Sequence, residues 1–147
     1  MYTLDANIFL RDLEPHNPEY PVCHALIERL QTASLPIVVP LLLFAEIAGA
    51  LSRELHDPIR GRMAVMVLRS LPNLTGVALD AILAYEAADL ASDCALRGAD
   101  AVYVAVARQC GGTLVTLDRE VRERAARVVP TCTPAELLAI LEQPPAP

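Results

Sequence analysis

The stretch Ala101-Val102-Tyr103-Val104-Ala105-Val106-Ala107-Arg108-Gln109-Cys110, followed by Gly111-Gly112 and Thr113-Leu114-Val115-Thr116-Leu117-Asp118, decides the fold. Its first ten residues predict a helix, with Tyr103, Val104 and Ala107 on one stripe, and the glycine pair is a C-terminal stop. The run Thr113–Leu117 then predicts a strand that delivers Asp118 at its end. A helix followed at once by a buried strand is the repeating unit of an α/β protein.

Reading outward, the same alternation covers the chain. Tyr2-Thr3-Leu4 is a short strand running into Asp5. Val22 to Thr32 has helical periodicity, with Leu26, Ile27 and Leu30 on one face. Pro36-Ile37-Val38-Val39-Pro40 is a β-branched run fenced by prolines, hence a strand, and a helix follows from about Leu41 to Glu54. Asp57-Pro58 opens another helix through Leu71, and Leu74 to Val77 is a third strand. Asp80 caps an alanine-rich helix to about Leu96, broken by Arg97-Gly98. After Asp118 come a short helix to Ala126, a last strand over Arg127 to Pro130, and a final helix from Thr133-Pro134. The expected fold is a three-layer α/β sandwich, a mainly parallel central sheet flanked by helices. Residues 1–142 are expected to form one domain, with a disordered Pro-rich tail at 143–147.

Composition narrows the function. With 54% hydrophobic and 20% charged residues, the 147-residue chain is globular in type. A net charge of −6 argues against broad adhesion to nucleic acid or anionic membrane, yet leaves room for a nuclease whose acidic ligands are neutralised by a cation. All 12 basic residues are Arg. Cys23, Cys94, Cys110 and Cys132 form no CxxC pair and read as small buried hydrophobes of a reducing compartment. His16, His24 and His56 lack metal-binding spacing. No apolar run reaches the ~18 residues of a membrane span. The chain opens directly on a strand pattern, so a cytoplasmic protein without a targeting segment is expected.

The acids carry the chemistry. In a parallel sheet the strand ends share one edge, where α/β folds bind ligands, so Asp5 and Asp118 are expected to face a common crevice. Taken singly, each also reads as a helix N-cap. Glu46 shares a helix face with Leu42, Leu43 and Ala50. A carboxylate there needs a cation, either a metal ion or an arginine such as Arg53 or Arg69. Asp100 opens its helix and is also explained by capping. Oxygen donors alone select Mg²⁺ or Mn²⁺ over zinc, and such a site suits phosphodiester hydrolysis. The chain contains no P-loop, no GxGxxG and no supported serine triad. An aspartyl-phosphate phosphatase would want a second Asp where Asn7 stands. Glu86, Asp89 and Asp93 form a solvated helix face, with an Asp93–Arg97 pair expected. Arg119, Arg122, Arg124 and Arg127 read equally as an RNA-backbone track or as solubilising charge.

Leu4-Asp5-Ala6-Asn7-Ile8-Phe9-Leu10, Phe44-Ala45-Glu46-Ile47, Asp100-Ala101-Val102-Tyr103 and Leu114-Val115-Thr116-Leu117-Asp118 resemble, in order and spacing, the motifs of PIN domains. More narrowly, the chain resembles the VapC toxins of toxin–antitoxin pairs, and the likeness covers Tyr2 to about Leu141. It implies metal-binding, catalytic acids at Asp5, Glu46, Asp100 and Asp118, with Asn7 and Thr116 as supporting polar residues. It further implies Mg²⁺ or Mn²⁺ as cofactor, an RNA substrate, an antitoxin partner and a homodimer. Gly98-Ala99 departs from the aromatic or His that family members often carry before the third acid. Two other readings stay open: a PIN nuclease in RNA processing without an antitoxin, and a non-catalytic RNA- or protein-binding module. Met63, Met66, Val67 and Leu71 form a stripe that, with Leu51 and Leu55, is expected to contribute to a two-fold dimer interface.

Overall fold

Tyr2–Leu4 forms β1, the middle strand of a five-stranded parallel sheet ordered β3-β2-β1-β4-β5. A computed structural model describes residues 1–143 of the chain. The other strands are β2 (Ile37–Pro40), β3 (Leu74–Val77), β4 (Thr113–Val115) and β5 (Thr131–Cys132). β1 pairs with β2 on one side and β4 on the other. Every residue of β2 is buried, as a strand covered on both faces requires.

The helices are α1 (Ala6–Asp12), α2 (Tyr20–Thr32), α3 (Leu42–Leu55), α4 (Pro58–Arg69), α5 (Ala81–Cys94), α6 (Gly98–Gln109), α7 (Arg119–Ala125) and α8 (Pro134–Glu142). The strand order reverses direction after β3. Right-handed crossovers therefore send α1 to α4 to one face and α5 to α7 to the other, which gives the expected three layers. α6 lies across β2, β1 and β4, and Ala101 to Ala107 are all buried, so it is the central helix of its layer. α8 returns to pack on α2.

Several boundaries differ from the sequence reading for identifiable reasons. In the sequence Asp5 also reads as a cap, but the α1 helix has no range there; Asp5 does cap it, accepting from the Asn7 N–H, and Ala6, Ile8 and Phe9 are buried. α5 ends at Cys94 because Ala95 turns into the left-handed region at φ 53°, and Gly98 opens α6 instead of breaking α5. The Asp93–Arg97 pair does not form, since Arg97 lies beyond that helix end. β4 stops at Val115; the Thr116 N–H still reaches the Cys132 carbonyl of β5 at 3.1 Å, and the chain then turns toward α7. The last strand is Thr131–Cys132, not Arg127–Pro130. Val128 and Val129 still donate to the Ala125 carbonyl, prolonging the helical turn, and Pro130 has no N–H to give. Residues 144–147 of the expected Pro-rich tail lie outside the described residues.

The α3–α4 contact is close. A Cβ on Gly61 would stand 2.5 Å from the Ser52 Oγ and 2.6 Å from the Ala48 carbonyl oxygen. α4 turns the other way with Ile59, Met63, Met66 and Val67 exposed, so most of the anticipated stripe is uncovered. Among the described residues no helix is long and apolar enough to cross a membrane. Gly61→Ala should destabilise the fold by about 1–3 kcal/mol through overpacking against backbone, measured as a lower urea midpoint at unchanged slope.

Candidate functional site

Asp5 sits at the carboxyl end of the central strand, its N–H held by the Val115 carbonyl at 3.0 Å. The neighbouring strands β2 and β4 lead into α3 and toward α7, which bring Glu46 and Asp118 to the same edge. Glu46 lies on the second turn of α3. Asp100 lies in the first turn of α6, and Arg97, not Asp100, is the N-cap residue. The capping account therefore does not apply to Asp100. It does apply to Asp118, whose Oδ1 accepts from the Glu120 N–H at 2.8 Å and the Val121 N–H at 3.1 Å.

Asn7 and Thr116 are organised around Asp5. Asp5 Oδ2 accepts from Asn7 Nδ2 at 2.7 Å and from the Thr116 hydroxyl at 2.5 Å. Asn7 Nδ2 also reaches Thr116 Oγ1 at 3.0 Å, which in turn accepts from the Asp118 N–H at 3.1 Å. One continuous network thus joins Asp5 to the turn that carries Asp118. Arg122 pins that turn from behind, its Nη1 donating to the Thr116 and Leu117 carbonyls at 3.0 Å each.

Among the described residues Glu46 pairs with no arginine. Its Oε2 accepts from the Tyr103 hydroxyl at 2.6 Å, and both Arg53 and Arg69 are exposed. Tyr103 was counted in the sequence only as part of an apolar stripe. The available signal was its position three residues after Asp100, on the same helix face, with a hydroxyl that needs a partner when buried.

The electrostatics show which acids converge. Burial is the main cause that raises Asp5 from an ordinary 3.8 to about 6; the bonds from Thr116 and Asn7 oppose it, and the charges of Asp100 and Glu46 add to it. Glu46 is raised by burial and by Asp100, against the Tyr103 bond. Asp100 is raised by burial, then by Asp118 and Glu120, with Arg97 opposing. Asp5, Glu46 and Asp100 therefore repel one another, and Asp118 joins the group through Asp100. A small cleft lined by Arg97, Asp100, Asp118, Glu120 and Arg124 continues the site. Among the described residues no three carboxylate, imidazole or thiol groups stand ready-arranged to hold a metal ion. The donor set itself, desolvated oxygens short of cationic partners, fits a hard divalent cation.

The arginines after Asp118 have internal partners. Besides Arg122, Arg119 pairs with Glu123 at 2.7 Å. Arg124 pairs with Glu120 at 2.5 Å and donates to the Ala95 carbonyl, and Arg127 donates to the Asp93 carbonyl at 3.4 Å. Of the α5 acids, Glu86 accepts from Gln109 at 2.8 Å and pairs with Arg108 at 3.8 Å. The cysteines are free, and Cys110 alone is only partly buried. His24 sits on α2, bonded to Asp12 at 2.7 Å and stacked on Tyr20.

The raised Asp5 value fixes a sign. The folded state holds this proton more tightly than the unfolded chain, so stability is greatest below pH 3.8 for this group and is lost as pH rises toward 6. In EDTA the stability of Asp5→Asn should lack this fall, and at neutral pH the variant should be more stable than wild type by up to about 3 kcal/mol, with a higher melting temperature. Thermal melts of both proteins from pH 4 to pH 7 measure the difference.

Comparison with known proteins gives a family and a fold. The family model described as PIN domain matches residues 2–128. The structure of PAE2754 from Pyrobaculum aerophilum superposes with a TM-score of 0.69 at 22% identity, over 95% of this chain and 93% of that one. VapC20 of Mycobacterium tuberculosis, a sarcin–ricin loop cleaving toxin, gives 0.69 at 17% identity, over 88% and 97%. A toxin–antitoxin complex from Klebsiella pneumoniae gives 0.64 at 21% identity, over 91% and 98%. No curated protein matches the chain in sequence.

Proposed function

The chain belongs to the PIN domain family, and from that premise we propose that it is a divalent-metal-dependent endoribonuclease, the toxin of a toxin–antitoxin pair. The observation that carries this reading is a set of acids at the carboxyl edge that make no ion pair among the described residues: Asp5, Glu46 and Asp100 in mutual repulsion, eased only by the charge of Arg97 on Asp100, and Asp118 beside them. These four would hold Mg²⁺ or Mn²⁺. Such an ion supplies an activated water and neutralises charge on the phosphate oxygens of the scissile bond.

The chain's own residues do the rest. Asn7 and Thr116 fix one oxygen of Asp5 and leave Oδ1 with a single long contact, the Asn7 N–H at 3.5 Å. Asp118 is held by its backbone and by the N-terminal N–H groups of α7, so its position follows the turn pinned by Arg122. Like-charge repulsion keeps polyanions away from the acids until a cation is present. The toxin reading is supported by the fold shared with VapC20 and with the Klebsiella pneumoniae complex. An antitoxin as partner and RNA as substrate follow from that likeness, as proposals.

Asp5→Asn, Glu46→Gln and Asp100→Asn should each reduce RNA cleavage by at least about 100-fold at low metal concentration while the protein stays folded, scored on structured RNAs by gel. Millimolar Mg²⁺ or Mn²⁺ should raise the melting temperature of wild type and leave that of Asp5→Asn unmoved. A melting curve indifferent to both ions counts against the metal site.

The uncovered face of α4 supports association. Ile59, Met63, Met66 and Val67 are 54–71% exposed, beside Leu55 at the end of α3. Large apolar patches on a surface mark interfaces. A two-fold dimer using α3 and α4 is therefore expected, and light scattering at micromolar concentration should give twice the 15.9 kDa chain mass.

A further inference from the structure

Tyr103 and Asp100 stand three residues apart on α6 and so share a face. The Tyr103 ring is 2% exposed and packed in the core, which leaves its hydroxyl little freedom. That hydroxyl crosses to α3 and donates to Glu46 Oε2 at 2.6 Å, the one side-chain bond that Glu46 makes among the described residues. Glu46 stands in a desolvated, like-charged setting, where an untethered carboxylate would swing toward water. Helix α6 thus brings one acid to the site and holds a second in place through a neutral donor.

We propose that Tyr103 is a positioning residue, fixing the rotamer of Glu46 and with it the Glu46–Asp100 separation that a divalent cation needs. The proposal rests on the reading of Glu46 and Asp100 as cation ligands. A neutral hydroxyl suits this task. An arginine in its place would neutralise Glu46 and compete with the ion, whereas the tyrosine occupies one oxygen, leaves the charge in place and leaves Oε1 to coordinate.

The test compares wild type with Tyr103→Phe, which keeps the ring and removes only the hydroxyl. Calorimetric titration with Mn²⁺ alone should show roughly ten- to hundredfold weaker binding in the variant, the usual cost of losing a residue that orients a ligand. The melting temperature in EDTA should change by no more than a few degrees. The Mn²⁺ concentration for half-maximal RNA cleavage should rise by the same factor, with the rate recovering at saturating metal, which a merely structural defect would not do. Equal Mn²⁺ affinity in the two proteins overturns the proposal.

A metal-free readout separates this idea from the reading beneath it. The Tyr103 hydroxyl proton should be observable by NMR as a slowly exchanging signal, absent in Tyr103→Phe and displaced in Glu46→Gln. An undisplaced signal in Glu46→Gln overturns the tether. A signal displaced in Glu46→Gln, together with a wild-type protein that binds no Mn²⁺, supports the tether and overturns the cation site instead.

Discussion

Repulsion among partly desolvated carboxylates at the end of the central strand is the constraint around which the rest of the edge is arranged. Two neutral donors hold Asp5, one holds Glu46, and backbone N–H groups hold Asp118. No cationic side chain bonds directly to Asp5 or Glu46 among the described residues. Arg97 acts on Asp100 only through its charge. Neutral donors fix geometry without cancelling charge, so the acids are positioned yet remain short of positive partners. A fold selected for stability alone would favour an arginine at such a place, or a hydrophobe.

The alternation of helices and strands, the parallel sheet and the location of Asp5 and Asp118 just past strands were legible because they depend on local pattern. Ala101 to Cys110 reads as a helix from its apolar stripe and the glycine stop after it, and β2 as a strand from its β-branched run between prolines. What escaped the sequence depended on tertiary contact. The left-handed turn at Ala95 has no glycine to announce it. The seven-residue α1 is too short for periodicity to show, and its cap doubles as a candidate ligand. The short strand Thr131–Cys132 is defined by its partner β4 and has no signature of its own. Tyr103 escaped for a related reason: an aromatic residue in an apolar stripe carries no sign of where its hydroxyl points.

The arginines after Asp118 illustrate the same limit. Their number and proximity suggested a path for a polyanion as readily as a solvated surface, and the structure gives a third account. Arg122, Arg124 and Arg127 close carbonyls left open by the turn before α7 and by the end of α5, and Arg119 and Arg124 pair along α7. A basic cluster in sequence is therefore a poor measure of basic potential at a surface when helix ends lie nearby. On the proposed reading, attraction of the substrate falls mainly to the bound cation.

The strand order has a further consequence, which concerns time. Of the five strands described, β1 is synthesised first and becomes the middle strand of the finished sheet, while its partner β4 and the Thr116 that bonds Asp5 emerge only after β2, β3 and the helices α1 to α6. Strands β1, β2 and β3 are free to associate early, but one side of β1 must stay open until β4 arrives. The carboxylate cluster cannot assemble on a nascent chain that stops short of Asp118. A truncated translation product would carry Asp5, Glu46 and even Asp100 in its sequence and still lack the edge on which they meet.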